Sequence, residues 1–485
     1  MSQKEKDNVA IVYESRESET DPAAVTNCVQ TEEQLSPYRW NNPFLQVAWG
    51  GLITAMTSGL YVALTGIGAG GGKPESQAVS SIGVSLGDAT WIFSSFAAGI
   101  LMNKIRPRFT LMLGAAGFSL YVAGYWYFDV KGQKWFPITA GTLSGCVSGF
   151  LWATQNFLIA CYAKENEKGT YVALNHIVFV CGGVIGSMIA VCLNRNVVEG
   201  NRGVVWELYL IFVIVNVTAV VFAYFTADPD DVRRNDGSKI AVFKPPTVKQ
   251  AVLNMLNAFK EVRILLMITP LFVAECLFPF FSSLNSHMFT TRARTLNNMF
   301  FWFAQIPGAW VFGWLTDRKG MGRRGRGYLG LFVTFLFVNG AFIGVAAMMG
   351  TWGLEKFDRA VPLYIDWKEK KFGGLFVWYF IAGFSYSLVM SMRVWITGSF
   401  SNDPQKQAPY AGIIPMFQAL GVTVGFGIDA ASVPYLNIMC CWWILYVVGM
   451  ALEFVVIRYH IADTDYFKEE DVVVPAEYAT ILQEK

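Results

Sequence analysis

GWLTDRKGMGRR, residues 313–324, stands between two long apolar runs, and GILMNKIRPR, residues 99–108, stands between two others. The first follows the spacing G-x-L-x-D-R-x-G. The second is a degraded copy, with Asn103 in place of the acid and Arg106 in place of the second glycine. Glycine lets two helices approach closely. An acid at the end of a helix pairs with nearby basic groups. Together they make a clasp between helix bundles that holds in one conformation and releases in another. Gly313, Asp317, Arg318 and Gly320 form the better copy, and Gly99, Asn103 and Lys104 the weaker one. A loop repeated at equivalent places points to two related halves.

Working outward from these loops, apolar runs of about 20 residues, the length that crosses a bilayer, recur along the chain. We expect spans at 44–66, 80–102, 109–128, 136–162, 170–193, 205–226, 264–285, 297–316, 328–350, 373–399, 409–431 and 435–457. The second is the weakest, because SQAVSSIGVSLGDATW is only mildly apolar and contains Asp88. The chain is 54% hydrophobic and only 15% charged, against about 25% charged in a typical soluble domain. The expected fold class is all-α, polytopic, with 12 transmembrane helices in two pseudo-symmetric six-helix bundles. The expected partners are a lipid bilayer and an unknown small molecule, with another membrane protein as the alternative. A net charge of +2 gives no sign of nucleic acid.

The expected organisation is a disordered cytoplasmic tail over 1–43, bundles at 44–226 and 263–458, a linker at 227–262 and a C-terminal tail at 459–485. Lys104, Arg106, Arg108, the cluster at 318–326 and the basic residues of 233–260 fall on one face. The excess of Lys and Arg on cytoplasmic loops makes that face cytoplasmic, with both termini inside. The loop 351–372 goes against this pattern, but its acids accompany its bases. Within the linker, TVKQAVLNMLNAFKEV reads as an amphipathic helix on the membrane surface, capped by Thr247 and Gln250.

Several long segments narrow the reading: TTRARTLNN at 290–298, FLWATQNFLIACY at 150–162 followed by ENEKG, and GSFSNDPQKQAPYAG at 398–412 followed by Gln418 and Ile428-Asp429. On these the chain resembles the Unc-ninety-three-like membrane proteins, fungal branch, of the major facilitator superfamily. The resemblance runs over nearly all of 40–460. It implies the twelve-helix facilitator fold, with spans one, four, seven and ten around a central cavity. It implies no substrate: some relatives are regarded as transporters, others as regulators of ion channels or of receptor trafficking through another membrane protein. The pattern usually carries an acid near Tyr386 and a base where Gly427 stands, so the charges are rearranged here.

Charge inside a span is costly, about 2.5–3.5 kcal/mol per residue on insertion scales. Glu275, between Pro270 and Pro279, and Arg393 are expected to face each other in the cavity, with Gln155 and Asn156 nearby. Such a pair serves either proton coupling or structure, and the sequence leaves both open. Asp88, Glu207, Asp429 and Glu453 read as residues near span ends that reach the interface. His176 reads as a satisfied interface histidine.

GIGAGGGKP at 66–74 lacks the first glycine and the Ser or Thr of a phosphate loop. No C-x-x-C pair occurs, and there are only three histidines. We therefore expect no metal, no cofactor and no catalytic triad. A secondary transporter of a small organic molecule and a transport-silent regulator are the two functions compatible with the sequence.

Overall fold

A computed structural model of the chain describes residues 35–66, 76–194, 206–240, 246–360 and 363–466, with a few residues of the tail beyond. Most of the expected N-terminal tail and the glycine-rich segment 67–74 lie outside the described residues.

Long apolar runs form helices because a helix satisfies every backbone group internally. Span one is Pro43–Thr54, a π-helical turn at Ala55–Gly59, then Leu60–Gly66. Asn42 caps it by accepting the Phe44 N–H at 2.9 Å. Spans two to six are Ser76–Ile105, Pro107–Lys131, Trp135–Tyr162, Lys168–Asn194 and Trp206–Tyr224. Span seven is broken into Val262–Ala274 and Leu277–Met288. Spans eight to twelve are Thr291–Thr316, Arg323–Trp352, Phe372–Gly398, Pro404–Ala430 and Tyr435–His460. Ten of these are long and apolar enough to cross a membrane. Spans four and eight match them in length but are diluted by polar residues such as Gln155, Asn156, Asn297 and Gln305.

In the first half, span four packs along spans two and three, and span six along span three. In the second, span seven packs on span twelve, and span ten on spans eight and nine. The halves meet along two seams, span two against span eleven and span five against span eight.

The linker contains a helix, Val248–Ala258, whose N-cap Thr247 accepts the Gln250 N–H. Its buried side is Ala251, Met255 and Ala258, seated over the seam of spans two and eleven. Val248, Leu253 and Leu256 stay exposed. Residues 35–42, which the sequence placed in the disordered tail, are folded against the start of the linker. Arg39 donates to the carbonyls of Arg233 and Arg234, and Trp40 Nε1 donates to the carbonyl of Phe225 at 3.1 Å. These backbone acceptors have no apolar signature, so hydropathy does not reveal the contact.

Candidate functional site

A cavity lies between the halves, with about 90 Å³ open to the centre of a water molecule. That is room for several waters. Span one enters it through the π-helical turn, which re-aims Ser58 and Tyr61 toward the centre. The turn is bulky, and Gly182 of span five receives it: a Cβ at Gly182 would lie 2.1 Å from the Ala55 carbonyl oxygen. The remaining polar lining includes Asp88, Asn156, Asn175, His176, Glu275, Tyr386, Ser391 and Gln418. Its aromatic lining includes Trp91, Trp152, Phe179, Phe278 and Trp302.

Glu275 sits at the break in span seven, and Pro279 causes the break. A helix would carry the Glu275 carbonyl to an N–H at position 279, and proline has none. The carbonyl takes the Phe278 N–H instead, at 3.0 Å. Tyr446 of span twelve bridges the gap: its hydroxyl donates to the Ala274 carbonyl and accepts the Leu277 N–H, both at 3.2 Å. The Glu275 side chain accepts a short hydrogen bond from the Tyr386 hydroxyl of span ten.

Arg393 does not face Glu275, contrary to the expectation from sequence. It lies seven residues past Tyr386 along span ten, an axial offset of about 10 Å at 1.5 Å per residue. There its guanidinium contacts Glu453 of span twelve at 3.0 Å, with both side chains fully buried. It also donates to the carbonyls of Val389 at 2.9 Å and Pro270 at 3.3 Å. Neither Glu453 oxygen has an aligned donor, so the contact is ionic. Arg393 is therefore outside the cavity.

Gln155 is outside it too. Its amide donates to Asn175 Oδ1 at 2.7 Å and to the Val47 carbonyl at 3.1 Å. Asn156, the next residue, lines the cavity.

Two other acids are not where hydropathy put them. Glu453 is buried within span twelve. Asp88 is the thirteenth residue of a 30-residue helix and is 3% exposed, because span two begins at Ser76, earlier than its apolar run. Its Oδ2 has no hydrogen-bond partner among the described residues. His176 also lines the cavity and shares a 3.0 Å hydrogen bond with Gln305 across the halves. Asp429, in contrast, is at a helix end, paired with Arg359 at 2.7 Å.

One end of the cavity is closed, on the face that carries the basic loops. Asp317 follows span eight and accepts the N–H groups of Gly169 at 2.9 Å and Thr170 at 2.5 Å. An acid of one half thus caps span five of the other, where the helix dipole favours negative charge. Burial pushes the Asp317 carboxyl up, and these N–H groups pull it partly back. The approach is close: a Cβ at Gly169 would lie 2.0 Å from Thr316 Oγ1. Gly313 lies against Ala173, and Gly320 takes a left-handed turn at φ +79°. Arg318 stacks on the Trp314 ring at 5.6 Å and does not cross to the other half. At the weaker copy, Gly99 packs near Ala408 and Gly412. The side chains of Asn103 and Lys104 lie outside the described residues. Arg106 pairs with Asp228, at the start of the linker, at 2.7 Å.

Sequence reading missed the larger part of this closure. Glu165, in the loop before span five, contacts Arg323 at 2.7 Å. Arg323 also meets Asp465 of the C-terminal tail at 3.0 Å. Asp465 N–H and Asn402 Nδ2 both donate to Glu165, at 2.9 and 2.5 Å. Burial pushes the Glu165 carboxyl up, but Arg323 and these donors hold it below its ordinary value. Lys168 donates to Asn402 at 3.1 Å and to the Gly398 carbonyl. The Tyr466 hydroxyl accepts the Glu165 N–H at 3.3 Å, and Glu469 accepts from Ser401 and Asn402. ENEKG and GSFSNDPQ were the available signal: two loops too long and too polar to be mere connections.

The sequence matches the model of the Major Facilitator Superfamily over residues 13–187 and 92–425. It is 32% identical to an uncharacterized membrane protein of Schizosaccharomyces pombe, over 84% of this chain and 83% of that one. It is 29% identical to UNC93-like protein 1 of Arabidopsis thaliana, over 91% and 96%. Among solved structures, it resembles the human organic anion transporter MFSD10 with a TM-score of 0.58 at 13% identity, covering 84% of this chain and 98% of that one. It resembles the E. coli fucose:proton symporter FucP with a TM-score of 0.57 at 14% identity, covering 87% and 100%. At these identities the structural likeness carries the fold alone. Sequence matches and architecture agree: the chain belongs to the Major Facilitator Superfamily, as an UNC93-like member.

Proposed function

We propose that this protein is a secondary transporter that moves a small organic molecule across a bilayer by alternating access, coupled to protons through Glu275. In this reading the bundles 44–226 and 263–458 rock about the central cavity, joined by the linker 227–262. The face with the basic loops is cytoplasmic, with both termini inside, and the structure is the state closed toward the cytoplasm. One observation carries the proposal: a cavity with titratable lining lies between the halves, and the clasp over one end takes residues from both. A clasp built across two bodies can be undone by moving one against the other. A fixed scaffold needs no such joint.

The test is uptake into liposomes by the purified full-length chain, with and without a pH gradient. Solute accumulation driven by the gradient is expected, and Glu275→Gln should abolish it while leaving solute exchange measurable at saturating solute. No uptake of any solute, together with cysteine accessibility that never changes at the closed end, would favour the transport-silent regulator.

A further inference from the structure

The charge and chemistry of the cavity lining point to one class of solute. Two carboxyl groups, Asp88 and Glu275, face the cavity from opposite halves and lie within electrostatic reach of each other. Among the described residues the lining contains neither lysine nor arginine. Asp88 is buried, and its Oδ2 has no partner among the described residues. A buried carboxylate without a cation is costly, and a proton or an incoming cation removes the cost. The walls beside the acids are aromatic, with Trp91, Trp152, Trp302 and Phe278 among them. Ring faces attract cations, and indole most strongly.

A metal ion would need several oxygen ligands in a tight shell, and no group of three or more His, Cys, Asp or Glu residues suited to a metal occurs among the described residues. An organic ammonium needs only a counter-charge and ring faces. The indole N–H groups of Trp91, Trp152 and Trp302 have no partners among the described residues, which leaves neutral donors for an acceptor atom elsewhere in the same solute.

We propose that the cavity selects organic cations, amines or quaternary ammonium compounds of aromatic character, through Asp88 and Glu275, and exchanges them for protons. This rests on the transporter reading and adds its substrate class. In the empty site protons neutralise the acids. A cation enters as a proton leaves, so the two compete for the same carboxyl groups. Among the described residues the other titratable groups around the pair are Tyr61, Tyr121, His176 and Tyr386, with Cys276 and Tyr446 behind the break in span seven. None is a lysine or arginine that would neutralise the acids permanently.

The test uses three probes that share one ring and differ in charge: phenyltrimethylammonium, benzyl alcohol and phenylacetate. Binding to the full-length protein is read from tryptophan fluorescence between pH 5 and 8. The cation should bind at least tenfold more tightly than the other two and tighten as pH rises, by up to tenfold per unit. Asp88→Asn and Glu275→Gln should each weaken it at least tenfold, and Asp88→Glu should recover part of the loss. Equal binding of the neutral probe, preference for phenylacetate, displacement by equimolar potassium or an affinity flat with pH would each overturn the proposal. If a variant does not fold, the charge series and pH profile of the unaltered protein decide. Binding of the cation without its transport would sink the transporter reading and leave the site assignment standing. Transport of a neutral or anionic solute without cation binding would do the reverse.

Discussion

The Tyr386 hydroxyl donates to Glu275, so span ten holds the one carboxyl group that stands at the break in span seven. The bond ties a side chain in the cavity to a point where the backbone has already lost its regular hydrogen bonding. Tyr386→Phe removes the donor and keeps the ring. We expect it to retain cation binding within a few-fold but to shift the pH dependence of binding upward by a measurable fraction of a unit, because a hydrogen bond to the charged form favours that form and its loss disfavours it. Fluorescence titration of Tyr386→Phe beside the unaltered protein checks this. An unchanged pH profile would separate Tyr386 from the titration of Glu275.

The Arg393–Glu453 contact is expected to be structural. Removing one partner leaves a buried charge alone, at a cost of about 3–5 kcal/mol. Arg393→Met and Glu453→Leu should therefore each lower the thermal midpoint strongly. The double replacement should recover most of the loss and retain binding. Loss of binding in a stable double variant would give the pair a functional role.

Asp317→Ala deletes the cap that span eight places on span five. Loss of such a cap costs about 0.5–2 kcal/mol, a shift of roughly two- to thirty-fold toward the open form at that end. Cys161, a buried free thiol at the end of span four, reports on opening. Its alkylation, followed by peptide mass spectrometry, should accelerate by that factor. Asp317→Asn, which keeps one acceptor oxygen, should give a smaller effect.

Truncation after Ile461 removes Asp465, Tyr466 and Glu469 from the closed end. Alkylation of Cys161 should rise further than in Asp317→Ala, because Arg323 and Glu165 lose partners together. A truncated protein as closed as the intact one would show that the tail follows closure and does not support it.

At the other end, the Arg292 guanidinium holds the Asp366 carboxyl down to about 2 through two bonds of 2.6 Å. A carboxyl lowered by folding stabilises the fold above its unfolded value, near 4, and that contribution disappears as pH falls through about 2. The thermal midpoints of Asp366→Asn and the unaltered protein should therefore differ at neutral pH and converge in strong acid. A constant difference across that range would exclude the ionic role.

The spans and halves were legible because hydropathy and a repeated loop are properties of sequence alone. Partner choice was not. Glu275 and Arg393 lie in two spans that line the same cavity, but an offset of two helical turns separates them, and sequence does not set the relative height of two helices. Asp88 was misplaced because apolar windows mark where a span is greasy and not where its helix starts. Glu165 and the tail were missed for a different reason: backbone carbonyls and loop carboxylates make that contact, and neither has a periodicity.

The closed end has a further consequence. In the alternating-access reading, Glu165, Arg323 and Asp465 exchange water for one another when the halves meet, and opening returns those charges to solvent. Separated, exposed charges are stabilised by counter-ions, while a buried cluster is barely reached by them. In that reading ionic strength acts on the protein as a conformational selector. Added salt should favour the form open at the basic face even when no solute or proton gradient is present, so the resting conformation in dilute buffer and in concentrated salt should differ.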